Sequence, residues 1–145
     1  MLWINYLEHA WSPLASYPKA MYIVATSDTP DGPFAVVNEK ANVEVSGGGD
    51  FAIFVDPKDS KAYIAYDAWG NSHKVKVEQL TDDYHDSLGK NATSETISPS
   101  GNEAPMMFER KGYYYLIYGH TCCFCEEGAG AHVFYAKNPL GPWIS

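Results

Sequence analysis

Hydrophobic and polar positions alternate in short runs, and no window keeps apolar residues at i, i+3, i+4 and i+7 over three turns. Runs rich in aromatic and β-branched residues, bounded by Gly, Pro, Asn or Asp, predict strands instead. They fall at Leu2–Leu7, Ala20–Ser27, Phe34–Val37, Asp50–Val55, Ala62–Asp67, Lys74–Gln79, Ala104–Glu109, Tyr113–Gly119 and His132–Ala136. Pro30-Asp31-Gly32-Pro33, Asp56-Pro57-Lys58-Asp59-Ser60 and Arg110-Lys111-Gly112 read as tight turns between them. The polar stretch from Asp86 to Asn102, rich in Ser and Thr, reads as a long surface loop.

The pattern repeats. Phe54–Tyr66 parallels Met107–Tyr118, each a strand, a tight turn and a Tyr-rich strand, and Tyr66 lies 52 residues before Tyr118. Leu2–Tyr6 looks like a third copy of the second strand, 60 residues ahead of Tyr66. Independently, Thr29–Phe34 parallels Asn138–Trp143, with Gly32 and Gly141 separated by 109 residues. A period of this size, made of about four short strands, is that of a propeller blade. A β-sandwich with look-alike hairpins is the rival, but two independent motifs agree on one period. The predicted class is therefore all-β, a single incomplete β-propeller domain over residues 1–145. Its blade parts are 1–45, 46–100 and 101–145, about two and a half blades of four-stranded antiparallel sheet. Rings need at least ~4 blades, so an internal piece of a larger protein is expected. The chain also opens directly in a strand, without the basic region of a signal peptide.

Composition narrows the partners. A net charge of −8, with no Lys/Arg cluster, argues against nucleic acid and anionic membranes. No apolar run approaches the ~20 residues of a membrane span. The 11 tyrosines offer flat apolar faces with polar tips, suited to sheets and to sugar clefts. Cys122, Cys123 and Cys125 are an odd, clustered set and no disulfide framework. With His120 and His132 nearby they still lack the paired spacing of a zinc site, so neither metal nor cofactor is expected. Gly47-Gly48-Gly49 lacks the Lys-Ser/Thr of a phosphate loop. His9, His73 and His85 are scattered away from any carboxylate or nucleophile pattern, which predicts ordinary structural roles.

Two acidic residues stand apart. Asp50 opens a strand after the glycine run, and Glu103 opens the matching strand of the next repeat in Glu103-Ala104-Pro105. Either alone reads as a solvated turn residue. Their matched placement matters because the first strand of each blade lines the central channel, so both carboxylates converge on one cleft. Two carboxylates in different environments are what glycosidic hydrolysis requires.

These motifs resemble glycoside hydrolase family 43, whose fold is a five-bladed β-propeller. The likeness rests on Asp50-Phe51-Ala52-Ile53-Phe54-Val55-Asp56, on Glu103-Ala104-Pro105 ahead of Gly112-Tyr113-Tyr114-Tyr115-Leu116, on Leu80-Thr81-Asp82-Asp83, and on the two Pro-x-Gly-Pro-aromatic motifs. The segment Tyr17–Pro30 is similar to the galactan 1,3-β-galactosidase branch. The resemblance implies Glu103 as general acid, and Asp50 as the carboxylate that tunes its pKa and orients the sugar. It implies Tyr17, Asn71 and Thr121 as sugar contacts, a carbohydrate partner, and a parent protein that is secreted or in the secretory pathway. It also implies a missing first-blade acidic residue, so the chain alone is expected to be inert. A non-catalytic propeller segment that binds carbohydrate or protein is the alternative.

Overall fold

The structure is a computed structural model that describes residues 1–8, 12, 16–98, 101–120 and 130–145, Tyr17 through its backbone only. Among the described residues there are nine strands and three short 3₁₀ turns. The strands are β1 (Leu2–Tyr6), β2 (Met21–Thr26), β3 (Ala35–Asn38), β4 (Gly48–Val55), β5 (Ala62–Ala68), β6 (Lys74–Gln79), β7 (Asn102–Arg110), β8 (Tyr113–His120) and β9 (Gly130–Ala136). Every predicted strand is present, with ends displaced by a residue or two. They form three antiparallel sheets in the orders β1-β2-β3, β4-β5-β6 and β7-β8-β9. Three sheets of successive strands, stacked face to face, make this an all-β partial propeller.

Each sheet carries three strands rather than the expected four. In the second and third sheets the fourth place is taken by single bridges, Glu78 to Thr93 and Tyr135 to Ile144. The 86–102 loop supplies Thr93 through polar anchors, Ser94 and Ser98, whose hydroxyls accept the amides of Val77 and Val75. That side-chain pairing competes with a continuous backbone ladder.

In the middle sheet the packing partners follow the two-residue period of a strand. All of β5 is buried. Ala62, Ile64, Tyr66 and Ala68 pack with Tyr22 of the first sheet, whereas Tyr63 and Ala65 pack with Tyr114, Leu116 and Tyr118 of the third. The middle sheet is thus covered on both faces. The flanking faces are open: Leu2, Ile4, Tyr6 and Val36 are exposed on the first sheet, and Met106, Val133 and Tyr135 on the third.

The third-copy reading of Leu2–Tyr6 also fits. Trp3 packs toward the second sheet as Tyr63 does toward the third. The β1–β2 connection leaves from the same end of its strand as the β5–β6 connection.

A polar lock joins the second and third sheets. Asp56, 2% exposed, accepts the Lys58 amide at 3.0 Å and the Tyr114 hydroxyl at 2.5 Å. The Pro-Lys-Asp turn is therefore fixed both locally and across the sheet boundary.

Candidate active site

The first strands β4 and β7 lie side by side, with β1 next to β4. Both inner strands are bulged at their leading ends. In β4 the register slips between Gly48 and Phe51, so Gly49 and Asp50 together oppose Asp67 of β5. In β7 it slips between Glu103 and Met106, so Ala104 and Pro105 oppose Tyr118. A bulge adds an unpaired residue, bends the strand and re-aims side chains. It also explains the sequence: Pro105 forfeits no ladder bond there, and Ala104 takes a left-handed φ of 52°.

The glycine run is explained by packing. A side chain on Gly48 would meet the Tyr22 ring at 2.4 Å. One on Gly49 would meet the Asp67 carboxylate at 2.3 Å and the Trp69 indole nitrogen at 2.5 Å. The carbonyls of this stretch are held from outside the sheet. Asn5 Nδ2 donates to Gly48 and Gly49 at 3.1 and 2.6 Å, and the Tyr22 hydroxyl donates to Gly49 at 3.0 Å.

Asp50 is exposed in a cleft of about 330 Å³ lined by Asn5, Gly49, Asp50, Phe51, Ala104 and Pro105. A second hollow of about 200 Å³ continues it past Asn5, Gly49 and Asp50 to Trp69. Glu103, its side chain 26% exposed, stands immediately before the β7 residues that wall the cleft. A larger cavity, about 660 Å³ between the 3₁₀ turn at Tyr17–Lys19 and the 40–46 segment, has Glu44 as its carboxylate. Glu44 is ion-paired with Lys76, whose hydrogen bond holds it below the usual range, so it is committed to structure.

Two residues that the pattern assigned to structure join the site. Asp67, buried in β5, contacts His73 Nδ1 through Oδ2 at 3.0 Å, and the same nitrogen lies 3.4 Å from Glu103 Oε1. His73 is therefore flanked by carboxylates, which corrects its reading as an isolated histidine. Spacing could not show this, because Asp67 sits within an apolar strand and reaches His73 only through the turn that follows. Burial pushes the Asp67 carboxyl up to about 6, the charges of Asp50 and Glu103 add to this, and His73 opposes it.

The predicted sugar contacts are placed unevenly. Tyr17 opens the 3₁₀ turn Tyr17–Lys19, but its side chain lies outside the described residues. Asn71 is half-buried in the turn Trp69–Asn71; the two turns touch each other and β4. Thr121 and the three cysteines lie outside the described residues.

Asp67 gives a pH signature. Its raised carboxyl binds a proton in the folded chain that the unfolded chain releases near pH 4, so its contribution to stability falls as pH rises toward 6. Asp67→Asn removes that titration. Relative to the parent, the variant should gain up to ~3 kcal/mol between pH 4 and pH 7, read by urea unfolding. Parallel pH profiles would show that Asp67 titrates normally.

Two bulged inner strands of a partial all-β propeller thus place Asp50 in a cleft and Glu103 immediately before the residues that wall it. The chain belongs to the glycosyl hydrolases family 43, whose profile matches residues 6–145. It is similar to the exo-β-1,3-galactanase of Phanerochaete chrysosporium, crystallised with galactose, at 28% identity and a TM-score of 0.68. That match covers 86% of this chain and 28% of the fungal one. A family 43 β-1,3-galactosidase matches at 26% identity and a TM-score of 0.72, over 89% of this chain and 26% of its own. An endo-1,4-β-xylanase of Bacteroides thetaiotaomicron, 23% identical with a TM-score of 0.68, shares the fold over 97% of this chain and 51% of its own. No curated sequence matches the chain. The chain thus spans about a quarter of the galactanase and galactosidase structures.

Proposed function

We propose that this chain carries the acid half of a glycoside hydrolase site, acting on the non-reducing end of β-1,3-galactan. The observation that carries the reading is the placement of Asp50 and Glu103 at the bulged leading ends of adjacent inner strands. Glu103 protonates the leaving oxygen. Asp50, in the adjoining cleft, orients the sugar by accepting its hydroxyls. Tyr17, Asn71 and Thr121 are the sugar contacts that the family resemblance assigns. The choice of galactan rests on the two structures above 25% identity, both of which act on β-1,3-linked galactose by their names.

Inversion needs a second group that activates water across the ring, with carboxyls about 6.5–9.5 Å apart. Asp67 is buried and engaged by His73, so it is unsuited to that task. The chain by itself should bind the sugar without hydrolysing it, working as part of a larger single domain.

Incubation with β-1,3-galactobiose should release no galactose, while calorimetry detects binding that Asp50→Ala weakens at least tenfold. Release of galactose abolished by Glu103→Gln would overturn the inertness. Preference for xylobiose or arabinobiose would overturn the substrate. Binding unaffected by Asp50→Ala would overturn the site.

A further inference from the structure

We propose that two copies of this chain close on each other, the outer face of each copy's first sheet seating on the outer face of the other's third sheet. The residues that carry the contact stand outside the lining of the Asp50 cleft. The contact is therefore independent of the sugar reading.

Both faces are built of apolar rows that cross the strands. On the third sheet, Met106 pairs with Ile117 and Ile117 with Val133, while Phe108 pairs with Tyr115 and Tyr115 with Tyr135. On the first sheet, Leu2 pairs with Ala25 and Ala25 with Val36, Ile4 with Ile23, and Tyr6 with Met21. None of these rows holds a charged side chain. Leu2, Ile4, Tyr6 and Val36 on one face, and Met106, Val133 and Tyr135 on the other, are between 39% and 55% exposed. Contiguous apolar rows of this kind, unlike scattered exposed residues, mark an interaction surface.

The chain itself shows how the two faces fit. Between the second and third sheets, Tyr63 and Ala65 pack with Tyr114, Leu116 and Tyr118. The repeat that aligns Tyr66 with Tyr118 puts Tyr115 and Ile117 in the places of Tyr63 and Ala65. With Tyr6 aligned to Tyr66, Ile4 takes the place of Ile64, the counterpart of Leu116. The open face of the third sheet is thus the kind that receives a following sheet, and the open face of the first is the kind that is received. Third sheet on third, or first on first, has no precedent within the chain.

Area decides how many contacts form. A face of three strands, about 4.8 Å apart and roughly 20 Å long, covers about 300 Å². One contact buries roughly 600 Å² over its two faces, the scale of crystal packing, whereas two contacts reach about 1,200 Å², where stable complexes begin. Head-to-tail contacts form a closed ring when the rotation allows it. Two copies of three sheets give a ring within the range of about four to eight blades that propellers adopt. Closure at two copies also covers both open faces of each chain.

Analytical ultracentrifugation of the full chain, without sugar and up to high micromolar concentration, tests this. The parent should sediment with twice the mass of one chain. Ile4→Glu on the first sheet and Val133→Glu on the third place a charge at exposed positions, and each should weaken association at least tenfold, because either change spoils both contacts of the pair. An equimolar mixture of the two variants should associate more strongly than either alone, since one of its two contacts joins unchanged faces. A monomeric parent, growth beyond a pair, a variant that still pairs as the parent does, or a mixture no better than its components would overturn the proposal. Val36→Lys repeats the first-sheet test if the amide spectrum shows Ile4→Glu to be unfolded.

Discussion

Replacing Glu78 by alanine should cost the chain about 3–5 kcal/mol of folding stability, because three donors lose their acceptor at once. Glu78 is wholly buried in β6. Its carboxylate accepts the Tyr66 hydroxyl, the Ser87 hydroxyl at 2.5 Å and the Glu44 amide at 3.0 Å. These donors come from β5, from the loop after β6 and from the segment that links the first sheet to β4. A single acceptor thus ties three stretches of chain around the second sheet. Desolvation and the Glu78 charge push the Tyr66 hydroxyl far up, so it stays a donor at any pH at which the chain is folded. Urea unfolding measures the loss. Glu78→Gln, which keeps one acceptor oxygen, should lose less, and a loss below ~1 kcal/mol in the alanine variant would mean that water replaces all three bonds.

Gly49→Ala should be the most damaging substitution at the site. The added methyl would stand 2.3 and 2.5 Å from the Asp67 carboxylate oxygens and 2.5 Å from the Trp69 indole nitrogen. Neither neighbour can retreat easily, since Asp67 is buried and bound to His73. The bulge that carries Asp50 must shift instead. Overpacking of this kind costs about 1–3 kcal/mol or more. The variant should also lose sugar binding, because Asp50 is the next residue. Gly130→Ala is the control: among the described residues nothing lies within 4 Å of its added methyl, so a change within ~0.5 kcal/mol is expected. Equal behaviour of the two variants would refute the packing account of the glycine run.

The strands were legible because short aromatic and β-branched runs bounded by Gly, Pro, Asn and Asp mark them locally. The repeat made Asp50 and Glu103 legible as matched positions, and the structure places them at the leading ends of neighbouring strands β4 and β7. Asp67 and His73 were not legible. Asp67 lies six residues from His73 with no pattern between them, and their meeting depends on two successive left-handed residues, Ser72 and His73, that spacing does not reveal. The glycine run was visible but its purpose was not, because the partners that forbid a side chain, Tyr22 and Asp67, come from other strands. In the second sheet the expected fourth strand shrank to a single bridge, since Ser94 and Ser98 anchor that loop through side chains that spacing does not reveal.

The account turns on whether the cleft between β4 and β7 receives the sugar. Amide NMR of the labelled chain, titrated with β-1,3-galactobiose to millimolar concentration, tests this most directly. Saturable shifts should gather at Asn5, Gly49, Asp50, Phe51 and Ala104, and vanish in Asp50→Ala. Shifts centred instead on the 40–46 segment, or surviving intact in Asp50→Ala, would contradict it.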